Sequence, residues 1–175
     1  MKNVLAVLVL VVSLACGGTG TNPTNTGACS ITLSGAVTGT FPCASAATGG
    51  YDHASNESAV DFTAGSAASA SNTTPDITVA IGFSGSMQNG TFTSTGSGAG
   101  GGVVVDGNPG SVWAATVASG ANPATGSYTL VVSSNTTLAG NTSGSVYTVH
   151  GTLDATLPAV QGSSATGTVT LHATF

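Results

Sequence analysis

Few side chains in this chain could perform acid–base, metal or redox chemistry. Its 175 residues include six acidic residues, three histidines and three cysteines, and the only base is Lys2. The Gly-x-Ser-x-Gly pattern that marks the nucleophile of many hydrolases is absent from the sequence. We therefore predict that the chain is not an enzyme, and we rank a metal-dependent hydrolase last among its functions.

Two of the histidines fall on a pair of strands near the end of the chain. Alternation of apolar and polar residues predicts strands over residues 145–157 and 167–175, joined as a hairpin. Matching their apolar faces around a turn centred on Gln161 places His150 opposite His172, with Asp154 one step along the same Thr-rich face. Two imidazoles and a carboxylate could bind a transition metal there. The plainer interpretation is two solvated histidines, and we commit to no metal ligand.

Residues 51–61 concentrate three of the six acidic side chains beside a histidine. Carboxylate oxygens are the ligands that a hard cation such as Ca²⁺ prefers. The spacing fits no EF-hand, however, and we favour a solvated loop over a cation site.

The same period of two recurs along the chain and predicts an all-β fold. Apolar residues alternate with Ser, Thr or Gly over residues 31–41 and 76–87. Turns rich in Gly, Asn, Pro and Ser separate the candidate strands. We predict an antiparallel β-sandwich of about seven to nine strands in a single domain, residues 29–175. The other candidate strands lie at 59–64, 91–95, 102–106, 112–117 and 128–132.

Composition excludes several classes of function. Arg is absent and the formal net charge is −5, so the chain lacks the basic surface that nucleic-acid binding requires. A single Glu and a single Lys also exclude a coiled coil. Because 41% of the residues are hydrophobic and 4% are charged, the composition differs from that of charged, disordered chains. We expect a folded chain without a nucleic-acid partner.

The N-terminus has the features of an export signal. Lys2 precedes an apolar run from Val4 to Leu14 that only Ser13 interrupts. The run is too short to span a bilayer as a helix and is typical of the core of a signal peptide. Residues 1–15 are therefore predicted to be a signal peptide.

Leu14, Ala15 and Cys16 resemble the lipobox of bacterial lipoproteins. In that family the cysteine receives a diacylglycerol thioether, the peptide is cut before it, and the new amine is acylated, for example with palmitate. The resemblance implies lipidation at Cys16 and stable membrane anchoring. Gly17 in place of Asp implies the outer membrane, at its periplasmic face or at the cell surface. Ordinary signal-peptidase cleavage is the alternative.

Residues 16–28 are rich in Gly, Thr, Asn and Pro, and we predict a flexible tether. With Cys16 lipidated, Cys29 and Cys43 are left as an even pair in an exported chain, where disulfides persist. A bridge between them would close a loop of about 15 residues and stabilise the fold by about 3 kcal/mol. Two free thiols or a metal pair are the alternatives.

Three stretches resemble small envelope lipoproteins of myxobacteria and their relatives, namely residues 29–43, 147–159 and 167–175. The resemblance implies a lipid anchor and a β-fold, and it transfers no catalytic residue and no cofactor.

The favoured function is therefore a non-enzymatic envelope lipoprotein. Its expected partners are the membrane, through the N-terminal lipid, and an envelope or extracellular protein or a glycan. A small outer-membrane β-barrel is the alternative, because the final strand ends at Phe175 in the manner of such barrels. Aromatic residues make up only 5% of the chain, which is few for the aromatic girdles of a barrel.

Overall fold

The computed structural model describes residues 29–65, 74–96, 99–107, 110–117 and 125–175. The predicted signal peptide, the tether and Cys16 lie outside these ranges. In the described part of the chain, no helix is long and apolar enough to cross a membrane.

The eleven strands in chain order are β1 (Ser30–Gly35), β2 (Gly39–Pro42), β3 (Thr48–Asp52), β4 (Glu57–Ala64), β5 (Asp76–Ser84), β6 (Gly90–Thr93), β7 (Gly100–Asp106), β8 (Val112–Thr116), β9 (Ser127–Gly140), β10 (Gly144–Pro158) and β11 (Thr168–Thr174).

All eleven strands belong to one antiparallel sheet. Its order is β2-β1-β11-β10-β3-β4-β5-β7-β8, while β9 pairs with β10 and β6 pairs with β9. β10 is the longest strand and organises the sheet, because β9 lies along one edge while β3 and β11 share the other. The predicted all-β antiparallel fold is confirmed. The strand count of seven to nine was too low, chiefly because β3 has no apolar alternation.

The core is built by strict alternation along the strands. In β5 the residues Ile77, Val79, Ile81 and Phe83 are at most 3% exposed, and β4, β7 and β11 show the same pattern. Burial of these aliphatic and aromatic side chains on one face is the main force that stabilises the sheet. On β1, β9, β10 and β11 the opposite face carries mainly Thr and Ser, and most of these side chains are exposed.

The sheet curls so that distant strands share this core. Trp113 of β8 forms an isolated β-bridge with Ala159, just beyond the end of β10. The rings of Phe62 in β4 and Phe175 at the chain end lie 4.8 Å apart. The inner faces of one continuous sheet therefore pack together where two layers of a sandwich were expected.

A disulfide joins the first two strands. Cys29 and Cys43 are paired, with their Cα atoms 5.3 Å apart, as predicted. The amide of Cys43 also donates to the carbonyl of Cys29. The bend between β1 and β2 begins at Gly35 and ends at Gly39, both with positive φ. The bridge therefore closes the open end of the β1–β2 hairpin.

Candidate functional site: a polar groove around Asp154 and His172

Asp154 and His172 form a side-chain pair on the outer face of the sheet. The register of β10 and β11 sets them opposite each other, and Nδ1 of His172 lies 2.7 Å from Oδ1 of Asp154. Their neighbours along the strands, such as Ala155 and Leu171, point into the core. The two side chains are 55% and 65% exposed, so the pair contributes at most about 1 kcal/mol to stability.

The contact fixes which nitrogen of His172 is free. When Nδ1–H donates to the carboxylate of Asp154, the neutral ring presents Nε2 as an acceptor. A carboxylate that orients a histidine in this way is also common behind metal-binding histidines. The pair thus offers an imidazole nitrogen and carboxylate oxygens side by side on an accessible surface.

The pair lies in a shallow, open groove of about 420 Å³ across β1, β11, β10 and β9. Thr32 faces His172 and Thr129 faces Asp154, so four side chains form one row across the sheet. A second row, one step along each strand, consists of hydroxyl side chains alone. Its members in sheet order are Ser34, Thr170, Thr156 and Ser127.

The hydroxyl groups of the groove bond partly to one another. Oγ of Ser34 lies 2.6 Å from Oγ1 of Thr170, and Oγ1 of Thr32 lies 3.3 Å from Oγ1 of Thr40 on β2. Each hydroxyl can both donate and accept, so the surface adapts to either role. Because the chain beyond Lys2 has no Lys or Arg, the groove has no permanently charged cation to hold an anion. The groove is suited to a neutral ligand with several hydroxyl groups.

The predicted pairing of His150 with His172 is wrong. His150 shares the outward face as predicted, but it faces Ser134 of β9 and lies four residues from Asp154 along β10. Four residues of a strand span about 13 Å, whereas zinc ligands lie about 2 Å from the ion. Within the described ranges, no three His, Cys, Asp or Glu residues are grouped closely enough to hold a metal.

The loop after β10 accounts for the difference in register. The predicted hairpin was centred on Gln161, whereas the observed pairs of β10 and β11 are centred on Ser163. Oγ of Ser163 donates within the loop to the carbonyl of Val160 at 2.8 Å and lies 3.3 Å from the carbonyl of Val112. These contacts bind the loop to β8, a neighbour that the local sequence pattern does not indicate.

The acidic segment after β3 forms a tight turn. Asp52 accepts hydrogen bonds from the amide of Ala54 and the hydroxyl of Ser55, each at 3.0 Å, and these bonds lower the pKa of its carboxyl group. The hydroxyl of Tyr51 donates to Oδ1 of Asn56, which has a positive φ of 55°. Asp52 therefore holds the turn, in line with a solvated loop.

Asp61 lies away from this turn, on the outer face of β4. Its neighbours are Thr48 on β3 and Ala80 on β5, and neither offers a charge. Partial desolvation by the surrounding sheet raises the pKa of the Asp61 carboxyl group. The acidic residues of this region thus have two different environments, and the structure does not gather them into one site.

The sequence missed most residues of the groove. Alternation over residues 31–41 and 128–132 is consistent with an outward face for Thr32, Ser34 and Thr129, but it does not indicate their neighbours across the sheet. The only available signal was the alternation of residues along each strand. It indicates on which face of the sheet a residue lies, but it does not indicate which strands are neighbours.

Comparison with known proteins gives no family assignment. No protein-family model matches the chain, and no curated protein or solved structure matches it either. The groove and the sequence motifs therefore carry the functional argument.

Proposed function

We propose that the chain is a non-enzymatic lipoprotein of the bacterial cell envelope, anchored in the outer membrane through Cys16. Its β domain would present the groove around Asp154 and His172 to a neutral, hydroxyl-rich partner such as a glycan. The observation that carries the binding role is this single carboxylate–imidazole pair set among hydroxyl side chains.

The disulfide supports export. Bonds such as Cys29–Cys43 persist in oxidising compartments outside the cytosol and are rare within it. The bridge also lies directly after the predicted tether of residues 16–28. A lipid anchor at Cys16 would therefore join the folded domain at a cross-linked hairpin, which resists fraying at the point of attachment.

The chemistry of the groove supports a glycan over other ligands. Sugar hydroxyls both donate and accept hydrogen bonds, and the side chains of Thr32, Ser34 and Thr170 do the same. The carboxylate of Asp154 is a strong acceptor for such hydroxyls. It also disfavours phosphate or carboxylate ligands, because the chain beyond Lys2 has no Lys or Arg to offset the repulsion.

Lipid attachment tests the anchor. The full chain and its Cys16→Ser variant are expressed in a diderm bacterium that is fed labelled palmitate. We expect label and membrane association in the wild type. The variant should carry no label, and it should either leave the membrane or keep residues 1–15 uncleaved. Thr19→Ser in the tether is the matched control and should behave as the wild type. Labelled Cys16→Ser protein, or Cys16→Ser protein that has lost residues 1–15 and still stays with the membrane, would contradict the proposed anchor.

Binding to neutral oligosaccharides tests the groove. The purified chain is screened on a glycan array, and hits are measured by calorimetry. Because a hydrogen bond to a charged group is worth about 1.5–3 kcal/mol, Asp154→Asn should weaken binding at least tenfold. Asp106→Asn, at an exposed carboxylate on β7, is the control and should bind normally. Equal losses in both variants, or no hit at all, would contradict a glycan site in this groove.

A further inference from the structure

The second half of β9 has an outer edge without a strand beside it. β10 pairs with β9 along its length, but β6 covers the other edge only from Thr129 to Val132. Nδ2 of Asn135 then donates to Oδ1 of Asn89 at 2.9 Å, which extends this cover by a few residues. From Thr136 to Gly140, no strand of the described ranges lies on that side.

This free edge, Thr136–Gly140, is exposed on both faces. Leu138 is 56% exposed and is the one large hydrophobic residue so exposed in the part of the chain that the structure describes. A register shift against β10 also leaves Leu138 without a partner there, because Ala139 pairs with Val146 and Thr137 with Tyr147. The segment thus combines unpaired backbone groups with an unburied apolar side chain.

The residues along this edge offer little protection against pairing with a further strand. Proteins usually block exposed strand edges with Lys, Pro, inward-pointing charges or bulges. The free edge has a bulge at Leu138 but contains no charged residue and no Pro. Two copies of one bulged strand have the same twist, so the bulge does not prevent them from pairing with each other.

The distribution of charge indicates a second copy as the partner. The chain has a formal net charge of −5, so two copies repel each other over much of their surface. From Ser127 to Leu153, however, there is no Asp, Glu, Lys or Arg. Asp52, at the nearby tip of β3, lies two strands inward from the free edge, beyond β10. Two chains can therefore approach at this edge with little repulsion.

We propose that two copies of the chain pair through the free edge as antiparallel strands about a two-fold axis at Leu138. Each Leu138 then faces the partner's Leu138, and Thr136 lies opposite the partner's Gly140. This pairing gives hydrogen-bond partners to backbone groups that face outward along the edge, and it shields the side chain of Leu138. It joins the two sheets into one, in a closed, isologous dimer.

Mass measurements test the dimer. Five residues on each side form an interface smaller than the 1,200–2,000 Å² of a typical stable complex, so association should depend on concentration. Sedimentation of the purified full chain over a wide concentration range should reveal a monomer–dimer equilibrium. Leu138→Lys places two like charges face to face and should weaken dimerisation at least tenfold. A wild type that is monomeric at every concentration overturns the proposal.

Thr174→Lys is the matched control, because Thr174 is exposed on β11, which has neighbours on both edges. It should dimerise as the wild type does, and equal weakening by both Lys variants overturns the assignment to β9.

Cross-linking tests the two-fold axis. Facing Cβ atoms in an antiparallel pair lie about 5 Å apart, which is close to the separation that a disulfide bridges. In a Cys16→Ser background, Leu138→Cys should form a covalent dimer on mild oxidation, while Thr174→Cys should stay monomeric. Dimers by mass without this cross-link would place the interface elsewhere and overturn the proposal.

Discussion

Gly151 and Phe175 exchange two backbone hydrogen bonds at the end of the sheet. The amide of Gly151 donates to the carbonyl of Phe175 at 2.7 Å, and the amide of Phe175 donates back at 3.0 Å. A Cβ atom on residue 151 would overlap the backbone carbonyl oxygen of Val131 and lie 3.2 Å from Cζ of Phe175. Only glycine lets β9, β10 and the chain end meet at this point.

Gly151→Ala should therefore destabilise the fold. Because the clash is with backbone on β9, a strand must shift, and we expect a loss of about 1–3 kcal/mol in the free energy of unfolding. Gly50→Ala on β3 is the control, since a Cβ there meets nothing within 4 Å. Urea denaturation should show a lower midpoint for Gly151→Ala alone. If the midpoint of Gly151→Ala equalled that of the wild type, β9 would be able to shift away from the added methyl group without loss of stability, which would contradict the prediction.

The register of β10 and β11 shows where sequence patterns stop being sufficient. Alternation predicted both strands, their antiparallel pairing and the shared outward face of His150 and His172. A shift of the pairing by four residues keeps every apolar side chain on the core face, so alternation cannot choose between the two registers. The choice depends on contacts with other strands, such as that of Ser163 with the carbonyl of Val112 on β8.

β3 also could not be predicted from sequence patterns, because its sequence from Thr48 to Asp52 has no alternation of apolar and polar residues. The strand fills the space between β10 and β4, where a Cβ on residue 49 would lie 2.6 Å from both Met87 and Val149. Gly49 is thus a requirement of close packing by distant parts of the chain. Local propensity reads the same glycine as a turn or a break.

The disulfide should stabilise the fold through the loop that it closes. Cys29 and Cys43 are 14 residues apart, which corresponds to about 3 kcal/mol in the chain-entropy model. Cys29→Ser should lower the thermal midpoint, and reductant should lower that of the wild type in the same way. Cys16→Ser should melt as the wild type does. If reductant did not change the melting curve of the wild type, the stabilising role of the disulfide would be contradicted.

Asp61 should make the fold less stable as the pH rises. Partial desolvation by the neighbouring strands raises the folded pKa of this exposed carboxyl group above the ordinary value of 3.8, so the folded state holds its proton more tightly than the unfolded state. This contribution is present in acid and is lost as the pH rises through the folded pKa. Asp61→Asn should therefore melt at a higher temperature than the wild type at pH 7, and at the same temperature near pH 3.

The pKa of Asp52 is shifted in the opposite direction to that of Asp61, so its effect on stability should depend on pH in the opposite way. Hydrogen bonds from Ala54 and Ser55 lower its pKa, so its contribution is present above pH 3.8 and is lost as the pH falls through the folded pKa. Asp52→Asn should therefore melt below the wild type at pH 7, with the difference shrinking in strong acid. Shifts of the same sign in both variants would contradict the environments assigned to the two carboxyl groups.

Trypsin should leave the processed chain intact even when it is fully denatured. The protease cleaves after Lys or Arg because its specificity pocket carries an aspartate, and Lys2 is the only such residue in the sequence. If residues 1–15 are removed on export, the mass of the urea-denatured protein should be unchanged by trypsin. Chymotrypsin, which cleaves after aromatic residues, should fragment the same sample. Such fragments would show that the denatured chain is accessible to a protease. Loss of Met1 and Lys2 alone after trypsin treatment would show that the signal peptide had been retained, and would contradict both the predicted processing and the lipid anchor that depends on it.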